Sequence, residues 1–480
     1  MSNLISTLLT AGGSLDAFGQ ALDVVQNNVA NASTPGYAKQ TQSLDPMQFD
    51  PAQGFTGGVY AGRVVSSRDE YAEQAVQQQT TLLGQAQQDV NSLTAIQSQF
   101  DVTGNSGISS AFNALFSAFS TWGQTPTSTV AQQNVIEQAT AVANAFQQTA
   151  NGMKTVAQNT GLQLQSTVSD INHLATQLAS FNQKVLNGDR NDAALDALVH
   201  NTLDQLSNDG SIGITQQSNG TWTVLLNGQT PLVMGNQAFL LSTGNAAPNP
   251  DSFNANGPPH LSVLASDGAD ITADTTSGEL GSLLNLANVV LPEYVGDASQ
   301  TGSLNTLAQS FASHVNTLLA NGYQSSGPPP VPGVQLFAYD TVNRTNVAQS
   351  LQVNPNITPD QLAAISAGPP QISNGVALAL SQLADPTSSD DQIGGLSYTQ
   401  YYAGMASSAG TQLNDANDRL QSQQSAVAQA QNVRQQISGV SLDEEATILI
   451  QFQQAYEASS KLITVLDELT QATLNMLPTS

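Results

Sequence analysis

Cysteine is absent from all 480 residues. Disulfides and thiolate metal sites are therefore excluded. Both a reducing compartment and an exported protein that avoids thiols fit that absence. Basic residues are scarce: ten Lys+Arg stand against 36 Asp+Glu, a formal net charge of −26. Neither nucleic acid nor an anionic membrane surface is expected as a partner, because both recruit a basic patch. Charged residues make up only 10% of the chain, against about 25% in an average soluble domain. Gln, Asn, Ser, Thr, Ala and Gly take their place. Residues 1–38 hold Asp16 and Asp23 but no Lys or Arg, so the basic region of a Sec-type signal peptide is missing. No apolar run reaches about 18 residues, so no membrane insertion is expected. Hydrophobic residues still reach 40%, too many for a wholly disordered chain. The length allows a large core and more than one domain.

Catalytic chemistry is also missing. His173, His200, His260 and His314 stand far apart without ligand spacing and read as surface or cap residues. No phosphate loop, dinucleotide fingerprint, His-Glu-x-x-His or nucleophile elbow occurs. Asp267, Asp270 and Asp274 lack the spacing of a calcium loop. The expectation is no catalytic residue, no metal, no cofactor, and a protein that is not an enzyme.

What is present begins at the N-terminus. Leu4, Leu8, Ala11, Leu15, Phe18, Leu22, Val25 and Val29 follow each other at steps of four and three. This a/d seam predicts a coiled-coil helix. Asn31-Ala-Ser-Thr34-Pro35-Gly36-Tyr37 stops it, with Pro-Gly suited to a type II turn. A lone helix of that kind is marginal in water, so it needs a partner.

Further along, 55–65 reads as a strand or hairpin, and helical periodicity starts near Glu70, with Gly104 and Gly107 as breakers. Phe100, Phe112, Phe116, Phe119 and Trp122 are spaced to share one buried helix face, a core plug rather than a ligand cage. A helical pattern spans Val130 to Val185, and a shorter one carries Leu195, Leu198, Leu203 and Leu206. Short strands follow from 211, with Asn219-Gly220 as a hairpin signal. Helix returns at Gly278, a second β/loop passage runs from Pro328 to Gln392, and Tyr398 to Leu477 is helical apart from Ser438-Gly439.

In the last helix Ser441-Leu-Asp-Glu444 reads as a capping box, Ser441 accepting from Glu444 and Glu444 reaching back. Behind it Leu442, Leu449, Tyr456, Ile463 and Leu477 recur every seven residues, with Phe452 and Leu466 between them. Ile448, Ala455, Leu462, Leu469 and Met476 widen the stripe to about twice what a two-stranded seam needs. One side suits the N-terminal helix. The rest is expected to face neighbouring copies in an ordered assembly, with the middle helices of its own chain as the plainer option.

The run Asn28-Val-Ala-Asn31-Ala-Ser-Thr34-Pro35-Gly36-Tyr37 resembles the N-terminal signature of flagellar axial proteins. Ser438-Gly-Val-Ser-Leu442-Asp-Glu444-Glu445, followed by Gln451-Phe-Gln-Gln-Ala455-Tyr456, resembles their C-terminal signature. Asp204-Gln-Leu206-Ser, Gly278-Glu-Leu-Gly281-Ser-Leu-Leu284 and Leu291-Pro-Glu-Tyr294 resemble the hook-associated members of that family. The acidic–basic run those members carry before the first strands is replaced here by Leu198-Val-His200-Asn-Thr-Leu203, which leaves ion pairing at that place open.

The resemblance implies a structural, non-enzymatic protein joining hook to filament. It implies export by the flagellar type III apparatus to an extracellular site. It also implies a ring of copies touching hook protein on one side and another hook-associated protein on the filament side. An export chaperone would cover the C-terminal helix beforehand. The expected fold is mainly α with an inserted β domain. Residues 1–50 and 438–480 form the terminal coiled coil. Residues 51–210, 278–325 and 393–437 form a long-helix bundle, and 211–277 with 326–392 form a β-rich insertion. A self-polymerising flagellin-like or hook-like subunit, and an adhesin or enzyme on a helical stalk, remain as rivals.

Overall fold

A computed structural model describes residues 2–50, 55–100, 106–190, 192–245, 260–327 and 329–475. Gly104, Pro328, Met476 and Leu477 therefore lie outside the described residues. The chain gathers into two units. The first comprises Met1–Thr81, His173–Phe239 and Gln423–Ser480; the second comprises Leu82–Asn172 and Leu240–Ser422.

In the first unit, α1 (Ser2–Ala30) runs as one helix into the Pro35-Gly36 turn. Strand β1 (Gln40–Pro46) pairs antiparallel with β4 (Val59–Ser66), and the short β2 (Phe49–Asp50) pairs with β3 (Phe55–Thr56) between them. Helix α2 (Glu70–Gln97) starts here, and its residues from Leu82 onward belong to the second unit. The C-terminal part of α4 (Thr129–Asn187), helix α5 (Ala193–Asp209) and a four-stranded antiparallel sheet complete the middle of this unit. Its strands are β5 (Ile212–Gln216), β6 (Trp222–Leu226), β7 (Thr230–Met234) and β8 (Gln237–Ala238), in that order.

Asn182 of α4 ties the sheet down. Its amide donates to the carbonyls of Trp222 (2.7 Å) and Gly235 (2.6 Å), and its oxygen accepts from Trp222 N (2.8 Å). The end of α11 (Tyr398–Ser438) leads through Ser438-Gly439 into α12 (Leu442–Asn475), as the sequence suggests.

Helices α1 and α12 lie antiparallel. Asn28 meets Glu445, and the Cβ position of Gly19 lies 3.9 Å from the Tyr456 ring. The buried line of α1 keeps Ala11 and Val25 of the predicted seam and shifts by one residue elsewhere. Ala11, Ser14, Ala17, Ala21, Val25 and Asn28 are buried. Leu4, Leu8, Leu15, Phe18 and Leu22 are half-buried, and Val29 is exposed. The cause is a second neighbour: α1 packs against the β1–β4 ribbon as well as α12. Val59 N donates to Ser14 Oγ (3.1 Å), and a side chain on Gly58 would collide with Thr10. Small residues line the crowded middle, and the large ones splay to its flanks.

The second unit is built on one large core. It contains α3 (Gly107–Gln124), the N-terminal part of α4, and α6 (Gly278–Asn285), which continues through a π-helical turn into α7 (Leu291–Val295). Helix α8 (Ser303–Ala320) and the N-terminal part of α11 complete the frame. The expected aromatic plug is there: Phe100, Phe112, Phe116, Phe119 and Trp122 are buried. Phe112 stacks edge-on against Phe311 at 4.7 Å between ring centroids, and Phe311 does the same with Tyr398 at 5.3 Å. Each such pair contributes about 0.5–1.5 kcal/mol beyond area burial.

The stretch expected to be β and loop, 326–392, is mostly loop and short helix. Its strands β12 (Val331–Pro332), β13 (Phe337–Ala338) and β14 (Gln352–Val353) have two residues each, β12 pairing with β11 (Tyr323–Ser325). The brief α9 (Val347–Ser350) and the fuller α10 (Gly375–Gln382) are helical. Leu336, Phe337, Val347, Leu351, Leu362, Val376 and Leu380 all enter the same core as α3 and α8. The other β stretch, 211–277, divides at Phe239/Leu240. Strand β9 (Ser242–Asn245) pairs with β10 (Leu261–Leu264) in the second unit, where Asn172 brackets Leu241 with two hydrogen bonds.

Candidate assembly surface

Both terminal signatures fold into the first unit and meet there. Tyr37 N donates to Thr34 O at 3.1 Å around Pro35 and Gly36, and Gly36 has φ +76°. That is the expected type II geometry. A Cβ on Gly36 would stand 2.4 Å from the Ala197 carbonyl, so crowding and backbone both demand glycine.

Asn28 is buried in the α1–α12 seam, 1% exposed, and uses every hydrogen-bonding position it has. Its oxygen accepts from Tyr37 OH (2.9 Å) and Gln40 N (2.9 Å). Its amide donates to Gln40 O (2.8 Å) and to Glu445 Oε2 (3.0 Å). Lys39 Nζ lies 2.9 Å from Glu444 and 3.4 Å from Glu445. Burial, and the Glu445 charge after it, push the Tyr37 hydroxyl up to about 12. Only half of the expected capping box forms. Glu444 N donates to Ser441 Oγ at 3.4 Å, but the Glu444 carboxylate turns to Lys39, where an ion pair outweighs a neutral backbone donor.

A second polar cluster lies under the turn. Arg68 donates to Gly36 O (2.6 Å), Glu73 (2.6 Å) and Asp196 (2.8 Å). Arg434 donates to Glu73 (3.1 Å) and Asp204 (2.8 Å). The ion pairing left open at 198–203 is thus supplied by α5 carboxylates on either side and by arginines from distant sequence. His200 sits in the middle, buried rather than at the surface as expected, with its ring edge-on to Trp222 at 5.2 Å. Desolvation, then the charges of Arg68 and Arg434, hold its pKa well below the ordinary value. His200 is therefore neutral, and its approaches to Glu73 (3.9 Å) and Asp196 (3.7 Å) are not ion pairs. Burial raises the Asp204 pKa against the opposing pull of Arg434. The joint itself is pinned: Lys39 N donates to Ser438 O (2.8 Å) and Asp69 N to Ser438 Oγ (3.1 Å).

The outer surface of the helix pair is apolar in long stretches. On α12, Leu466 is buried against α1's side, and Leu449, Phe452 and Ile463 are half-buried. Leu442, Ile450, Tyr456, Leu462, Val465 and Leu469 are between 39% and 56% exposed. On α1, Ile5 and Leu9 are exposed, Leu9 by 72%. Among the described residues no group of His, Asp and Glu has metal-site geometry, and no helix is long and apolar enough to cross a membrane.

The site residues expected from sequence thus divide into a seam, an exposed strip and the Pro35-Gly36 turn. The polar residues Asn28, Lys39, Arg68, Glu73, Arg434 and Glu445 were not foreseen. Two signals pointed to them: an Asn inside an apolar seam, which restricts how helices pair, and cations so few that each is informative.

A family model described as the flagellar hook-associated protein FlgK helical domain matches residues 93–337. Models of a flagella basal body rod protein and of the flagellar basal body rod FlgEFG protein C-terminal region match residues 8–37 and 434–476. Flagellar hook-associated protein 1 of Bacillus subtilis (strain 168) is 28% identical across 99% of both chains. Its counterpart in Escherichia coli (strain K12) is 23% identical across 99% of this chain and 100% of its own. The structure of the flagellar hook junction protein FlgK from Burkholderia pseudomallei shares the fold with a TM-score of 0.61 at 17% identity, covering 76% of this chain and 100% of the other. The two rod-protein matches contain Asn28, Gly36, Arg434 and Glu445, four of the residues that build the polar clusters.

Proposed function

The chain belongs to the flagellar hook-associated protein FlgK family, and on that premise we propose that its α1–α12 pair is the part that builds the assembly. The protein is a structural component of the bacterial flagellum at the junction between hook and filament. The observation that carries the proposal is the half-exposed apolar strip from Leu442 to Leu469, on a helix already paired with α1 through polar clusters. Exposed large apolar side chains gathered along one helix, Leu462, Val465 and Leu469 on one line of it, mark an interaction face.

The partners are copies of the same chain in a ring, hook protein on one side and a further hook-associated protein on the filament side. Before secretion an export chaperone covers the α12 strip, and the flagellar type III apparatus carries the chain out. The protein performs no catalysis. The test is electron microscopy of a strain lacking the protein, complemented with Val465→Asp. A charge placed in the strip goes unpaired on assembly, so hooks without filaments are expected. Normal filaments would overturn the proposal.

A further inference from the structure

We propose that adjoining copies meet α1 against α12, the outer face of one α1 lying on the exposed flank of the next copy's α12. In that contact Asp16 of one copy pairs with Lys461 of the other. The inference rests on the helix pair being the assembling element.

The order of residues along the two helices matches across such a contact. Ile5, Leu9 and Asp16 fall on one side of α1, opposite the buried Ala21 and Val25. On α12, Leu462, Val465 and Leu469 form an exposed line, with Lys461 on its edge. The antiparallel register within one chain sets Asn28 level with Glu445 and Gly19 level with Tyr456. At about 1.5 Å per residue, Ile5 is then level with Leu469, Leu9 with Val465, and Asp16 within one turn of Lys461. Two copies side by side with little axial offset thus place apolar on apolar twice, then acid on base. Gly12, on the same face of α1, has open space around its Cβ position, which permits close approach.

Charge leaves one choice. The exposed acids of the pair include Asp16, Asp23, Glu457, Asp467 and Glu468, so most ways of packing a second copy set like charges together. Among its described residues the helix pair carries one cation, Lys461; Lys39, beyond the end of α1, is already paired with Glu444 and Glu445. Lys461 has no ion-pair partner within its own chain among the described residues, and neither have Asp16 and Asp23. A contact between different patches on equivalent copies is heterologous, and forms a ring where the rotation between copies closes.

The chain has no cysteine, which makes the test direct. Flagella carrying Leu9→Cys with Val465→Cys are oxidised and run on a non-reducing gel. A ladder of linked copies is expected, absent for Leu9→Cys with Ile450→Cys. In parallel, Lys461→Glu should lower the number of filament-bearing cells by about ten-fold, and adding Asp16→Lys should restore it. Monomer alone in intact flagella, or equal ladders from both cysteine pairs, overturns the contact. Failure of the charge swap to rescue overturns the ion pair. Those results leave the broader proposal standing if Val465→Asp still abolishes assembly; normal assembly by Val465→Asp would sink both.

Discussion

Asn28 shows how a single side chain ties the two ends of a 480-residue chain together. Its four hydrogen bonds reach the turn, the first strand and α12. Asn28→Ala leaves Gln40 and Glu445 without that partner, and a buried orphan costs about 1–3 kcal/mol. Faster amide exchange across α12 is the expected readout. Gly36→Ala should cost at least as much, since its Cβ meets the Ala197 carbonyl and its φ is positive.

His200 gives a pH signature. Its folded pKa is depressed below the unfolded value of about 6.5. The neutral ring's contribution is therefore fully present above that pH and lost as pH falls below it. Asp204 has a raised pKa and works in the opposite sense, nearer the carboxylate range. The melting temperature of the native chain should fall from pH 7 to 5.5, and His200→Phe should flatten that slope. An unchanged slope would mean that His200 is not the titrating group. Such details lay beyond sequence pattern because the Arg68–Glu73 segment, Asp196 and Arg434 are more than a hundred residues apart from one another. Only the tertiary fold makes them neighbours.

At the level of elements, helices were the most legible. The start of α2 at Glu70, the end of α11 at Ser438 and the start of α12 at Leu442 coincide with the sequence signals. Their signals are local: periodicity, glycine and caps. The α1 seam held at Ala11 and Val25 and shifted by one residue elsewhere because periodicity reports a preference averaged over faces, and α1 has two neighbours. Helix α10 was missed because eight residues flanked by Pro and Gly give too short a window for a 3.6-residue period. Its helical state comes from packing: Val376 and Leu380 are buried in the core, and Asn374 donates to Gly123 O of α3 (2.8 Å). The shared core implies that Phe311→Ala destabilises the second unit by about 3–5 kcal/mol. Chemical denaturation followed by Trp122 fluorescence should show that loss. A change below about 1 kcal/mol would place Phe311 outside the core's critical packing.

On the scale of the whole molecule, the chain carries a self-sufficient core and a separate means of joining others. Removing residues 442–480 takes away α12 but none of the core around Phe112, Phe311 and Tyr398. That truncated protein should stay folded by near-ultraviolet circular dichroism yet fail to restore motility. The pairing of the chain's two ends was legible because both are long, periodic and apolar. The identity of the surfaces that meet between copies was not, because one chain holds only half of each contact.

The proposal puts the exposed flank of α12 between subunits at the junction. The most direct measurement is cryo-electron microscopy of the hook–filament junction at side-chain resolution. Leu462, Val465 and Leu469 are expected to pack against a neighbouring subunit's α1. Finding those three side chains open to solvent in the assembled junction would contradict it.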